Sequence, residues 1–182
     1  MITDVNRLAV ITWLAENASG FGRTALMKYC YFLQVVCDVP LGYRFSLYSY
    51  GPFDSDVLSD LDSTESLGGV KSSVVYFSGG YGYRIEPGDC PDRVKRMGDT
   101  FINAYHKQLQ WVVDEFKGWD ASALELASTL AYSDREAVRR GEQLSIGELS
   151  SRVHDLKPRF GISQIEGYAE RLLSRQVLKS IK

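Results

Sequence analysis

Two histidines and three cysteines set the first limit on the chemistry open to this 182-residue chain. Hydrolytic or transfer catalysis pairs a nucleophile with a base, most often His. His106 falls in an extended helical pattern beside Tyr105, and His154 sits between Arg152 and Asp155 in a segment with its own helix-start signal. Neither lies in the glycine-rich or turn context that presents a reactive group, so both read as surface histidines on helices and no catalytic residue is assigned. Cys30, Cys37 and Cys90 form no C-x-x-C pair. Structural zinc needs four ligands at short paired spacings, so no metal site and no cofactor is expected. The three thiols read as buried groups in a reducing compartment.

The densest carboxylate cluster is Asp54, Asp56, Asp60, Asp62 and Glu65. On a helix Asp56 and Asp60 share a face at i, i+4 and could hold Mg²⁺, the basis of a divalent-metal-dependent nuclease as one alternative. The spacing does not fit a calcium loop, and acidic residues in a first turn also favour the helix dipole, so a solvated helix face is the preferred reading. Gly79-Gly80-Tyr81-Gly82 is rich in glycine but joins two strand-like runs, whereas a phosphate cradle needs strand, glycine turn and helix in that order.

These residues must be positioned by elements the sequence already marks. A first helix starts at Thr3 or Asp4, both good caps, and carries Val5, Leu8 and Ile11 at helical spacing. Residues 17–22 form a loop, and a second helix over 24–36 is so uniformly apolar that it belongs in the core. Tyr43, Phe45 and Leu47 alternate with polar neighbours as a half-buried strand, Gly51-Pro52 turns the chain, and Asp54 or Ser55 caps a third helix to Leu67. Residues 70–77 and 81–85 form a hairpin about Ser78-Gly79-Gly80. Pro91 opens one long helix holding its period to Phe116, Asp120 caps another to Tyr132, and the charged residues 133–143 read as a solvated loop or short helix. Capping boxes at Ser145/Glu148 and Ser163/Glu166 open the last two helices. The fold class is α+β, mainly α: an α-α-β-α-β-hairpin half, loosely winged-helix-like, then a long helix and a small helical C-terminal part. One compact domain over 1–182 is expected, with its seam near 87–91.

Composition is that of a globular protein, 45% hydrophobic and 24% charged. No apolar run reaches the roughly 20 residues that span a bilayer, and the N-terminal residues lack an export signal, so a cytoplasmic protein with no membrane partner is expected. Charge is uneven: −4 over residues 1–90, −1 over 91–144 and +3 over 145–182. The basic tail motivates a second alternative, a DNA-binding regulator that uses helices over 146–156 and 164–178 with Arg152, Lys157, Arg159, Arg171 and Arg175. A recognition helix in the first half would be acidic and repelled by phosphate. More telling is the aromatic density of Tyr29, Tyr31, Tyr43, Tyr48, Tyr50, Phe53, Tyr76, Tyr81 and Tyr83, more than a small core absorbs with every hydroxyl satisfied. That favours a protein-binding surface.

The helix carrying Leu26-Met27-Lys28-Tyr29-Cys30-Tyr31-Phe32-Leu33-Gln34, followed by Tyr48-Ser49-Tyr50-Gly51-Pro52-Phe53, resembles two related groups. They are the Panacea (SocA-like, phage-associated) domain and the YwgA-like uncharacterised family. Leu26, Lys28, Tyr31 and Phe32 match the first motif; Tyr50, Gly51, Pro52 and Phe53 match the second. The stretches Leu124 to Tyr132 and Leu156 to Phe160 look more YwgA-like, so the resemblance covers most of the chain. It implies a non-enzymatic interaction module, antitoxin-like or phage- and mobile-element-associated, that binds a toxin or presents a partner for proteolysis. The YwgA-like group implies no activity. The binding residues expected on this basis are Lys28, Tyr31, Tyr48, Tyr50, Gly51, Pro52 and Phe53, with a second copy of the chain kept as an alternative partner. Gly51-Pro52 is expected to act first as a joint between strand and third helix.

Overall fold

Helix-forming segments dominate a computed structural model that describes residues 4–18 and 20–182. Their order is α1 (Val5–Ala18), α2 (Arg23–Tyr31) running into a π-helical turn (Phe32–Val36), β1 (Ser46–Tyr48), β2 (Gly51–Phe53), α3 (Ser55–Ser66), β3 (Val70–Phe77) and β4 (Gly80–Pro87). There follow α4 (Pro91–Met97), α5 (Asp99–Ala104), α6 (His106–Phe116), α7 (Ala121–Arg139), α8 (Ile146–Leu156) and α9 (Ile162–Ser174). The strands make two small two-stranded sheets, β1 with β2 and β3 with β4. The α+β, mainly α, class is therefore the observed one. No helix among the described residues is long and apolar enough to cross a membrane.

The contacts divide the chain into two compact units. One comprises Met1–Ser46 and Phe53–Asp120, the other Leu47–Pro52 and Ala121–Lys182. The division falls at Asp120 and not at residues 87–91, so α4 to α6 belong with the first half of the chain. The tip of the β1–β2 hairpin groups with the C-terminal helices.

In the first unit every residue of α1 from Leu8 to Ala15 is buried, and α4, α3, α5 and α6 pack around it. Asp4 accepts from the Asn6 N–H at 2.9 Å and starts this helix; Thr3 lies outside the described residues. The expected long helix over 91–116 is broken at Gly98 and again at Tyr105. The break at Gly98 has a tertiary cause: a Cβ there would stand 2.7 Å from the Ala9 Cβ and 3.1 Å from the Asn6 Cα. Its missing side chain lets this junction press against α1. Phe116 closes the core by stacking on Phe32, ring centroids 4.0 Å apart.

Only Ser46–Tyr48 of the expected strand over 43–48 is paired as a strand. Ahead of it the Gln34 amide replaces a partner strand, donating to the Tyr43 carbonyl and accepting from the Tyr43 N–H, both at 2.8 Å. The turn falls at Ser49-Tyr50, and Gly51-Pro52 opens β2. In α3 Asp54 is the N-cap, accepting from the Asp56 N–H at 2.9 Å. Asp60 faces inward at 6% exposure. Its Oδ2 accepts from the Tyr43 hydroxyl at 3.0 Å and lies 3.4 Å from the Arg7 Nε, while the Arg7 guanidinium stacks over the Tyr43 ring. This knot ties α1, the Gln34-held segment and α3 together, and it removes Asp60 from any metal pair with Asp56. Among the described residues no three His, Cys, Asp or Glu side chains group as a metal site.

In the second unit α7 is far longer than expected, because the charged segment 133–137 is part of it and largely buried. Asp134, fully buried, accepts from the Lys179 and Ser180 N–H groups and the Ser180 hydroxyl at 2.7–3.0 Å, clamping the C-terminal segment. The Ser145/Glu148 capping box of α8 is complete, whereas α9 starts at Ile162 with Gly161 as N-cap, so the box expected at Ser163 is absent. Of the cysteines, Cys30 is buried, Cys37 half-buried and Cys90 exposed, which corrects the expectation that all three are buried. Burial pushes the Cys30 thiol well up and the Cys37 thiol to about 12, the wrong direction for a reactive thiolate.

Burial raises the Asp60 carboxyl above its ordinary range; Arg7 and the Tyr43 hydrogen bond oppose the shift, and Asp56 and Asp4 add to it. A raised folded-state value means a stability contribution that is full at acid pH and lost as pH rises through it. Asp60→Asn deletes that titration. The unfolding free energy of wild type minus Asp60→Asn, measured by denaturant titration from pH 3 to 7, is expected to fall as pH rises; a difference that rises or stays flat contradicts this account of the knot.

Candidate functional site

The sequence motif with the strongest claim to function, Tyr48 to Phe53, ends up largely in the second unit. Tyr48 ends β1, Tyr50 lies in the hairpin turn, and the two are 67% and 66% exposed. Next to them Gly51 and Pro52 are buried. Gly51 has φ +85°, and a Cβ there would come within 3.1 Å of the Ser128 Oγ and the Thr129 Oγ1. Both the backbone conformation and the closeness of α7 therefore require glycine.

The turn is held from below by charge. Lys157, just past the C-terminus of α8, is 7% exposed and donates to the carbonyl of Tyr48 at 3.2 Å and to the carbonyl of Ser49. Its ammonium also lies 3.1 Å from the carboxylate of Glu125, which is 2% exposed on α7. The second Glu125 oxygen accepts from Arg159. The attraction within a buried ion pair must offset the desolvation of both ions; Glu125 Oε1 meets the ammonium as a charge contact and accepts no hydrogen bond among the described residues. Here the ammonium has a carboxylate and two carbonyls, and the carboxylate has two cations. Lys157-Pro158-Arg159-Phe160 can run back past Glu125 because α8 stops at Leu156 and the His154 Nδ1 lies 2.8 Å from the Phe160 carbonyl, closing the turn. Arg159 differs from Lys157 in exposure: half its side chain remains in solvent, and its guanidinium packs over the Phe160 ring.

These residues surround an open cleft of about 470 Å³, walled by Tyr48, Tyr50, Leu156, Pro158 and Arg159 with the Glu125–Lys157 pair beneath. Leu156 is itself 48% exposed. The arrangement has no nucleophile paired with a base. Its capacity is recognition: apolar and aromatic area on a fixed backbone, with one net positive charge.

The expected binding residues separate into three kinds. Tyr48 and Tyr50 are surface groups of the cleft, and Phe53 is half-buried in the first unit. Gly51 and Pro52 shape the turn. Lys28 and Tyr31, on α2, are buried at 2% and 1% exposure and are not surface groups. Of the cations proposed for nucleic acid, Lys157 and Arg159 are bound to Glu125, and Arg152 is paired with Glu142. Arg171 and Arg175 are exposed on and just after α9. Of the remaining dense aromatics, Tyr29 and Tyr43 are buried, Tyr83 is half-buried, and Tyr76 and Tyr81 are exposed at 83% and 62% on the β3–β4 hairpin of the first unit. Sequence reasoning missed Glu125. Its one signal was a lone charge inside Ala123-Leu124-Glu125-Leu126-Ala127, where the two positions on either side in sequence are apolar.

Two substitutions separate the roles of the cations. Lys157→Ala leaves Glu125 buried with only a half-exposed partner and is expected to cost about 3 kcal/mol of unfolding free energy; Arg159→Ala, at an exposed position, is expected to cost about 1 kcal/mol or less. Denaturant unfolding of both variants checks the order, and equal losses would remove the distinction. Gly51→Ala is expected to lose about 1–3 kcal/mol in the same experiment, whereas an unchanged midpoint would show that the turn tolerates a side chain.

The chain was compared with known protein-family models and with curated proteins, and it matches none of them.

Proposed function

We propose that the chain is a non-enzymatic protein-interaction module of the cytoplasm whose contact face centres on Tyr48 and Tyr50. The observation that carries this reading is the pairing of two highly exposed tyrosines with a turn whose carbonyls are fixed by a buried ammonium. Tyrosine brings large apolar area and a polar tip to an interface at low entropic cost, and a backbone already ordered in the free protein lowers that cost further. The unpaired state of all three cysteines fits a reducing compartment. The resemblance of Leu26 to Gln34 and Tyr48 to Phe53 to Panacea and YwgA-like proteins extends the proposal: the partner is a toxin-like or mobile-element protein, and the chain acts as an antitoxin or adaptor.

Each of the two alternatives loses support at residues it would draw on. Tight phosphate binding accumulates over several cations, and Lys157, Arg159 and Arg152 each already share their charge with a carboxylate. A divalent-metal nuclease would draw on Asp60, which is held by Tyr43 and Arg7.

Co-expression with the products of neighbouring reading frames, followed by affinity purification of the full chain, tests the proposal. A stoichiometric complex is expected from wild type, weakened at least about tenfold in the Tyr48→Ser/Tyr50→Ser variant, as befits loss of two interface aromatics. Purification of the wild-type chain alone, or a complex indifferent to the double variant, would overturn it.

A further inference from the structure

We infer that the cleft beside the Tyr48–Tyr50 turn takes an acidic segment of the partner protein, with a carboxylate placed against Arg159. This inference rests on the interaction reading above and adds the chemistry of what binds there. Beneath the cleft Glu125 carries one negative charge and Lys157 and Arg159 carry two positive ones, so the site holds a net charge of +1. The surrounding unit has the same sign: its residues include ten Lys or Arg and eight Asp or Glu, giving +2, while the rest of the chain carries eleven and fifteen, giving −4.

The two cations divide the work. Lys157 is buried, and its ammonium already serves a carboxylate and two carbonyls. Arg159 donates to Glu125 through one terminal nitrogen, and its side chain is 53% exposed along the cleft wall. A guanidinium has five N–H donors in a planar fork, so one bond to Glu125 leaves it able to bind a second carboxylate. Glu125 and the Phe160 ring fix the plane of that fork in the free protein, which reduces the ordering cost of binding. Around it Tyr48, Tyr50, Leu156 and Pro158 supply apolar contact for the residues on either side of the carboxylate. Nucleic acid is the poorer occupant, because tight phosphate binding accumulates over several cations and this cleft has a single net charge.

The test is selection from a random peptide library displayed on phage, panned in parallel on the intact wild-type chain and on Arg159→Glu. Peptides enriched on wild type are expected to carry Asp or Glu on the order of threefold above the input, in keeping with a half-exposed charge pair, beside an aromatic or aliphatic residue. Binding of a selected peptide is expected to weaken in 0.5 M salt, and Arg159→Glu is expected to select Lys- and Arg-containing peptides instead. Enriched peptides without acidic excess that are lost in Tyr48→Ser/Tyr50→Ser would overturn the carboxylate while leaving the interaction face standing. No enrichment on wild type would overturn both. Displacement of the selected peptides by a single-stranded oligonucleotide, with no acidic preference among them, would assign the cleft to nucleic acid and overturn the inference.

Discussion

A buried ammonium on two backbone carbonyls is the interaction on which the second unit's surface depends. Lys157 reaches the Tyr48 and Ser49 carbonyls from the end of α8, and the Glu125 carboxylate of α7 is buried alongside its ammonium. The pair does not by itself stabilise the fold, since desolvating two ions costs about as much as their attraction returns. Its effect is positional. It specifies one conformation for a two-residue turn that exposed side chains alone could not hold, and Gly51 completes the specification by letting α7 approach to within contact of the turn.

The first unit is organised by a comparable but more enclosed device. Asp60, Tyr43 and Arg7 share one buried carboxylate, and the Gln34 amide supplies the hydrogen bonds that Tyr43 would otherwise seek from a neighbouring strand. In both units a single charged side chain joins segments far apart in sequence, and the surrounding apolar packing supplies the bulk of the burial. The difference lies in access. Asp60 faces the interior, whereas the ion pair under the turn sits below an open cleft.

Local signals in the sequence were enough to identify the features that depend on a few adjacent residues. The Ser145/Glu148 box, the Asp54 cap, the β3–β4 hairpin and the apolar α2 are all where the pattern puts them. Features set by distant contacts were not legible. Gly98 breaks a continuous helical period because α1 lies against it, and residues 133–137 look solvated by charge but are buried because Asp134 binds amides some 45 positions away. The site was half legible for the same reason. Tyr48 and Tyr50 stand out by type and motif, and Lys157 and Arg159 stand out as cations. What the cations bind, a carboxylate on α7 and the carbonyls of a turn over a hundred residues earlier, is a property of the tertiary fold.

We propose that the ordered turn held by Lys157 presents Tyr50 to a protein. Photo-crosslinking from position 50, with benzoylphenylalanine replacing Tyr50 in the full chain inside cells, tests it most directly. A discrete adduct of defined mass is expected, and it is expected to disappear when Lys157 is replaced by Met. No adduct, or one that persists after the turn has lost its ammonium, would contradict it.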